Sequence, residues 1–248
     1  MQIIISPAKK MRTDTDSFGW KDLPAFLPKT EVLFSKLKEL SYEELKSIWK
    51  CNDKIAAQNV ERIQTLDLRT ALTPAVMAYE GIQYQYMAPG VFSGEDLEYI
   101  QTRLRILSGF YGILRPFDGV IPYRLEMQAK LAVDGAKDLY GFWGSALAEA
   151  LWKEGDVVIN LASKEYSQCI SKHTPDDKLF LTCTFGERKG EKIVEKGTMC
   201  KMARGEMVRY LAEIQAESPE QLKAFDRMGY RFSVEDSTDI NYVFIKED

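Results

Sequence analysis

Residues 107–127 read LSGFYGILRPFDGVIPYRLEM and combine turn-forming, cationic and aromatic side chains with few ordinary surface residues. Glycine lets the backbone turn tightly or approach a ligand closely. Arginine grips phosphate or carboxylate with a planar fork of donors, and tyrosine offers both a ring face and a hydroxyl. This stretch therefore predicts a site for an anionic, phosphate-bearing partner. Its candidate binding residues are Ser108, Gly109, Tyr111, Gly112, Arg115, Tyr123 and Arg124.

The same residue types also permit a purely structural interpretation of this stretch. Arg115 and Glu126 are able to form an ion pair inside the fold, since structural ion pairs resemble sites at the level of sequence. Arg124 and Glu126 lie two residues apart and allow two readings. They form an internally neutralised pair, or Arg124 holds phosphate while Glu126 orients the ligand or acts as acid or base. Arg124 and Glu126 are thus the only candidate catalytic residues that the pattern offers.

Outward from this stretch, strand and helix patterns mix without a strict alternating order. Apolar strands are predicted at 2–5, 157–159 and 241–245, and helices from a start at Ser93 through Leu107, at 138–153 and at 199–215. Ser41 and Glu44 form a capping box that predicts a further helix start. A chain of 248 residues suffices for one substantial core. The sequence predicts an α+β fold, a single compact domain over residues 1–248 with a mixed β-sheet surrounded by helices.

Charge is unevenly distributed along the chain. The net charge of −4 argues against indiscriminate nucleic-acid binding. Residues 1–12 nevertheless carry three basic and no acidic side chains, residues 101–130 five and two, and residues 187–209 seven and four. Residues 213–248 carry nine acidic and four basic side chains. If the three basic segments converge in space, a positive cleft lies on an acidic body; if they do not, each is a solvated face.

Further polar candidates follow predicted strands or lie on predicted helices. A loop of Ser6, Lys9 and Lys10 follows the first strand, where backbone amides and lysines are able to hold phosphate, although a structural lysine closing the loop is an equal alternative. Asn160 and Ser163 follow the strand at 157–159, a common ligand position, while Ser163 also suits a helix N-cap. Tyr140 is a candidate for base stacking, with core packing as the alternative. The basic stripe Lys201, Arg204 and Arg209 is a candidate for phosphate binding, with a solvated helix face as the alternative.

Cysteine and histidine usage predicts neither a metal site nor a cofactor. Cys51, Cys169, Cys183 and Cys200 are scattered without a C-x-x-C pair, and His173 is the sole histidine. We expect four free thiols that are mostly buried, with a redox-sensing cysteine as the alternative. No secretory leader and no apolar run of about 20 residues is evident, so no membrane partner is expected and a cytoplasmic location is predicted.

Four more blocks accompany the stretch at 107–127, and together they resemble the YaaA peroxide-stress-response family. These blocks are IISPAKK at 4–10, KDLYGFWG at 137–144, NLASKEY at 160–166 and KMARGEMVRY at 201–210. The resemblance spans essentially the whole chain. It implies an α+β architecture particular to the family, and a helix-hairpin-helix element at 107–113. It also implies a cytoplasmic protein that helps cells survive hydrogen peroxide, limits iron-driven oxidative damage and acts through DNA.

Two functional hypotheses follow, with a third behind them. The first is a non-catalytic protein that binds double-stranded or damaged DNA through a basic cleft. The second is an enzyme acting on a nucleotide or other phosphorylated small molecule in a polar pocket, which the dense grouping of Ser6, Lys9, Tyr123, Arg124 and Glu126 favours. The third is a thiol-based sensor.

Overall fold

A computed structural model describes residues 1–247, in which helices and strands alternate irregularly. The strands are β1 Gln2–Ile5, β2 Lys10–Met11, β3 Thr73–Pro74, β4 Tyr79–Glu80, β5 Leu104–Ser108, β6 Gly112–Leu114, β7 Gly119–Val120, β8 Val157–Leu161, β9 Leu179–Lys189, β10 Lys192–Val194, β11 Tyr230–Thr238 and β12 Asn241–Lys246. The helices are α1 Leu27–Glu39, α2 Tyr42–Trp49, α3 Asp53–Thr65, α4 Ala75–Ala78, α5 Ile82–Met87, α6 Gly94–Arg103, α7 Leu139–Trp143, α8 Ala146–Trp152, α9 Lys164–Ser171 and α10 Gly197–Glu213. Short 3-10 helices occur at Pro89–Val91, Pro219–Ala224 and Arg227–Gly229.

The main sheet has a parallel centre and antiparallel edges, which confirms the predicted mixed sheet and α+β class. Its order is β11-β12-β9-β8-β1-β5-β6, and β10 pairs with β9. The five strands β12, β9, β8, β1 and β5 run parallel, while β11 and β6 close the two edges as hairpins. Residues Ile3–Ile5 of β1 are completely buried, as expected for a parallel strand covered on both faces.

Parallel pairing brings three strand ends to one edge of the sheet. Ile5 of β1 lies opposite Leu161 of β8 on one side and Ile106 of β5 on the other. The chain therefore leaves all three strands at the same edge, which is where ligands bind in open sheets with parallel strands.

The helix predicted from Ser93 through Leu107 begins as expected, with Ser93 as the N-cap of α6, but its last part was wrong. α6 ends at Arg103, and Leu104–Ser108 instead forms β5, which pairs with β1. All five residues of β5 are buried, and a fully buried strand lacks the alternation that separates it from a buried helix in sequence. The turn at 109–111 joins two strands, so residues 107–113 form a β-hairpin and not the hairpin of a helix-hairpin-helix element.

Other predicted elements agree more closely. β1 has the predicted bounds, and β8, β12 and α10 overlap their predicted ranges. The helix predicted over 138–153 divides into α7 and α8, because Gly144 adopts a left-handed φ of 52° between them. No helix within residues 1–247 is both long and apolar enough to cross a membrane.

Candidate functional site

A cavity of about 400 Å³ lies at the carboxyl ends of β1 and β8. Its walls come from the loop after β1, the β4–α5 segment, residues 123–126, the start of α9 and one face of α10. The three basic segments of the sequence converge here. The cationic residues that line the cavity are Lys9, Lys10, Arg124, Lys201 and Arg204, and the carboxylate residues are Glu80, Glu126 and Glu165.

Hydrogen bonds between the ends of β1 and β8 join two walls of the cavity. The Oγ of Ser6 accepts a hydrogen bond from the backbone N–H of Ser163 at 2.8 Å and donates one to the Ser163 Oγ at 3.2 Å. The Tyr84 hydroxyl donates to the Ser6 carbonyl oxygen at 2.9 Å, which ties α5 to the same point. Ser163 occupies the N-cap position of α9, as the sequence allowed, but its hydroxyl makes no capping bond. Its side chain contributes to the cavity instead.

Glu126 is the centre of a compact cluster of charges. Its carboxylate lies 2.9 Å from the Lys9 Nζ and 3.7 Å from the Arg124 Nη2. The Arg124 side chain is only 12% exposed, and its Nε and Nη2 each donate to the Trp49 carbonyl oxygen at 3.4 Å. Arg124 and Glu126 thus form the predicted pair, yet both also line the cavity. Arg115 does not reach Glu126 and pairs with Glu154 at 3.2 Å.

Glu165 supplies a second carboxyl group close to this cluster. Burial raises its pKa, and the negative charge of Glu126 raises it further. The backbone N–H of Gln128 donates to its Oε1 at 3.3 Å. Two carboxyl groups therefore share one wall in different environments: Glu126 is paired with two cations, and Glu165 is half-buried without an ion pair among residues 1–247.

The cations of the cavity differ in how far they are neutralised. Lys10 pairs with Glu80 at 3.0 Å, and Arg204 lies 3.6 Å from Glu195. The Nε of Arg204 is buried and finds no acceptor among the described residues. Lys201, one turn earlier on α10, is exposed and forms no ion pair with any residue in 1–247. The α10 wall therefore retains unused hydrogen-bond donors.

Ser108 behind the cavity and Tyr123 in its lining connect the β5–β6 hairpin to the segment that carries Arg124. The Ser108 Oγ accepts hydrogen bonds from the backbone N–H groups of Phe110 and Tyr111 at 3.1 and 2.9 Å. It also lies 2.6 Å from the Tyr123 hydroxyl, which is 2.8 Å from the Tyr79 hydroxyl. Burial raises the pKa of Tyr123 to about 12, so its hydroxyl keeps its proton at neutral pH.

The two glycines of the hairpin serve close packing. A Cβ on Gly109 would lie 2.6 Å from the Leu125 carbonyl oxygen and 2.9 Å from the Met127 nitrogen. Gly112 has a φ of +76°, and a Cβ there would lie 2.9 Å from the Trp143 ring. The absence of a side chain at Gly109 thus lets the segment around Glu126 cross directly over the hairpin. Neither glycine lines the cavity.

Several other sequence-predicted binding residues also lie outside the cavity lining. Tyr111 is completely buried, and its hydroxyl accepts from the Ile121 N–H, so no exposed base is able to stack on it. Asn160 bonds to Ala162 and Thr182 within the fold. Tyr140 donates to the Glu165 carbonyl oxygen at 3.0 Å and thereby supports the cavity wall. Arg209 pairs with Glu213 on α10 and does not join Lys201 and Arg204 at the cavity.

Five lining residues with polar side chains were not among the candidates from the sequence: Glu80, Gln83, Tyr84, Glu165 and Tyr166. Glu165 and Tyr166 follow Ser163 directly, so their position after a buried strand was an available signal. Nothing local distinguishes Glu80 or Tyr84, because Glu80 is placed by the pairing of β4 with β2, and Tyr84 by the packing of α5 against α10. There a Cβ on Gly205 would lie 2.2 Å from the Gln83 carbonyl oxygen, which shows how closely the helices approach.

The cysteines are free and mostly buried, as predicted: Cys169, Cys183 and Cys200 are buried and Cys51 is partly exposed. Burial raises the pKa of the three buried thiols, which disfavours the reactive thiolate. Within residues 1–247, no three His, Cys, Asp or Glu side chains are grouped so that they would hold a metal ion.

Comparison with known proteins gives one consistent family. A family model described as "Peroxide stress protein YaaA" matches residues 1–236. A UPF0246 protein of Lachnoclostridium phytofermentans is 54% identical over 246 residues, covering 99% of this chain and 96% of the relative. Similar proteins occur in Agathobacter rectalis, with 55% identity over 98% of both chains, and in Pediococcus pentosaceus, with 50% identity over 100% of this chain and 99% of the relative.

Proposed function

This chain belongs to the YaaA peroxide stress protein family, and from that premise we propose that it binds double-stranded or damaged DNA through the cation-lined cavity and its rim. Bound protein would shield DNA from iron-driven oxidative damage. The setting proposed for this activity is the cytoplasm, where bacterial DNA lies.

The observation that carries this proposal is the convergence of three basic segments on one cavity. Lys9 and Lys10 come from the first, Arg124 from the second, and Lys201 and Arg204 from the third. On a chain with a net charge of −4, such local concentration of cations favours a specific anionic partner over general attraction to polyanions.

The rim of the cavity suits a phosphate backbone. The side chains of Lys9 and Lys10 are 65% and 77% exposed, so the lysine end of each ion pair with Glu126 and Glu80 is solvated. A phosphate is able to compete for such lysines. Contacts of this kind position a protein on DNA without reading its sequence.

Salt-dependent fluorescence anisotropy tests this function with purified protein and short duplex, bulged and single-stranded DNA. We expect binding that weakens steeply with salt, because phosphate contacts release counterions. The Lys201→Ala/Arg204→Ala double variant should bind several-fold more weakly with a reduced salt slope. Arg209→Ala is the matched control, since it removes a cation from the same helix outside the cavity. Absence of binding at about 50 mM salt, where phosphate contacts are strong, would overturn the proposal.

A second candidate function is an enzyme acting on a nucleotide or other phosphorylated small molecule. The observation that favours it is the pair of carboxyl groups, Glu126 and Glu165, in different environments on one wall, since such pairs divide the roles of acid and base in many enzymes. Turnover of nucleotides that is lost in Arg124→Ala and Glu126→Ala, while DNA affinity survives, would support it. Equal loss of DNA affinity and the absence of turnover would contradict it.

A further inference from the structure

The cavity is larger than phosphate contacts with a duplex require. Contacts to the DNA backbone are made on open surfaces, whereas this cavity is a partly open cleft of about 400 Å³, within the size range of small-molecule sites. A duplex does not fit inside it. A single nucleotide or a smaller molecule is of a size that the cavity accommodates.

The α10 wall is suited to the anionic end of such a body. Arg204 has a buried Nε donor without an acceptor in the described chain, and Lys201 on the same face is free of ion pairs there. The Arg204 Nη2 lies 3.6 Å from Glu195, too far for a good hydrogen bond, so an anionic oxygen in the cavity is able to accept from this guanidinium. Phosphate accepts hydrogen bonds from both groups.

A different wall carries two carboxyl groups that are able to accept hydrogen bonds from N–H donors. Glu126 and Glu165 come from residues 123–127 and from α9, and their charges act on each other. Carboxyl oxygens accept hydrogen bonds from the exocyclic amino group of adenine or cytosine. The ring of Tyr166 lies on the same wall and adds an aromatic surface.

We infer that the cavity holds one nucleoside monophosphate unit, with its phosphate on Lys201 and Arg204 and the amino-bearing edge of its base on Glu126 and Glu165. This inference rests on the proposed function, in which the unit is a nucleotide extruded from duplex DNA while Lys9 and Lys10 hold the flanking phosphates. A free nucleoside monophosphate has the same chemistry.

Calorimetric titration tests the unit itself with dAMP, dCMP, dTMP, deoxyadenosine and inorganic phosphate as probes. We expect dAMP and dCMP to bind at least fivefold more tightly than dTMP, which lacks an exocyclic amino group. Glu165→Gln should reduce that preference, and Lys201→Ala/Arg204→Ala should leave dAMP no tighter than deoxyadenosine. Arg209→Ala should behave as wild type.

Fluorescence anisotropy with two duplexes of equal length, one fully paired and one with a single unpaired adenine, distinguishes a nucleotide extruded from DNA from a free nucleoside monophosphate. At least tenfold tighter binding of the bulged duplex, reduced by saturating dAMP, supports an extruded nucleotide. Binding of dAMP without any binding of DNA supports a free nucleotide and overturns the proposed function alone.

Two results overturn the inference. The first is equal affinity for both duplexes with no heat from millimolar dAMP, which leaves the proposed function standing. The second is a preference for the bulged duplex that saturating dAMP does not reduce, because the unpaired nucleotide is then bound elsewhere.

Discussion

The two halves of residues 107–127 differ in what they contribute, although both look equally rich in chemistry as sequence. The hairpin half, residues 107–114, is buried and holds its own backbone through Ser108 and the two glycines. The cavity half, residues 123–127, crosses over it and presents Arg124 and Glu126 to the cavity. The glycines and the serine of this motif therefore make the site possible by supporting the residues that form it.

We expect the largest effect on stability from Gly109→Ala, at the point where the cavity half crosses the hairpin half. The added Cβ would meet backbone atoms of Leu125, Glu126 and Met127 at under 3 Å, and backbone cannot rotate away as a side chain can. We expect a loss of about 3 kcal/mol or more in the free energy of unfolding, measured by urea denaturation. Gly90→Ala is the control, since a Cβ there meets nothing within 4 Å. Equal stability of the two variants would show that the halves are not in tight contact.

The pH dependence of stability should arise near the hairpin half, at Asp118. This carboxyl is 3% exposed, and burial raises its pKa from 3.8 to about 7. The folded state therefore binds more protons than the unfolded state between these values, so stability falls as pH rises through that window and is constant above it. Between pH 5 and pH 8 the wild type should lose about 2.5 kcal/mol more than Asp118→Asn, whose side-chain oxygen still accepts from the Arg115 N–H. Parallel stability curves for wild type and variant would contradict this, with the exposed Asp176→Asn as control.

Ser108→Ala tests the contact between the two halves, because the Ser108 hydroxyl bonds to both. Its removal leaves the buried N–H groups of Phe110 and Tyr111 without their acceptor and the Tyr123 hydroxyl with one partner fewer. We expect a loss of about 2 kcal/mol in thermal or urea unfolding. Ser171→Ala, at an exposed serine of α9, should be neutral. A neutral Ser108→Ala would mean that the hairpin does not depend on this hydroxyl.

Lys9→Ala should have the smallest effect on stability and still affect binding. The Lys9 side chain is 65% exposed and Glu126 keeps Arg124 as a second partner, so the free energy of unfolding should change by less than about 1 kcal/mol. If Lys9 contacts one phosphate, the slope of log affinity against log salt should become shallower by about 0.9. An unchanged slope would place Lys9 outside the DNA contact.

Sequence predicted those parts of the molecule that local patterns determine. The strand β1, the capping box at Ser41 and the basic residues of α10 were all visible in short windows. The strand β5 was not, since a run of buried residues has no period of its own, and its pairing with β1 lies about 100 residues away in sequence. The sequence showed three basic segments but not that they converge on one cavity, because nothing local brings Lys10, Arg124 and Lys201 together.

The most direct test of the central claim is a TROSY chemical-shift titration of ¹⁵N-labelled protein with a short bulged duplex. We expect the largest shifts at amides of the cavity, in residues 6–10, 123–127, 163–166 and 201–204, and small shifts at amides of the hairpin half in residues 107–114. Shifts concentrated on the hairpin half, or on a face remote from the cavity, would contradict the account.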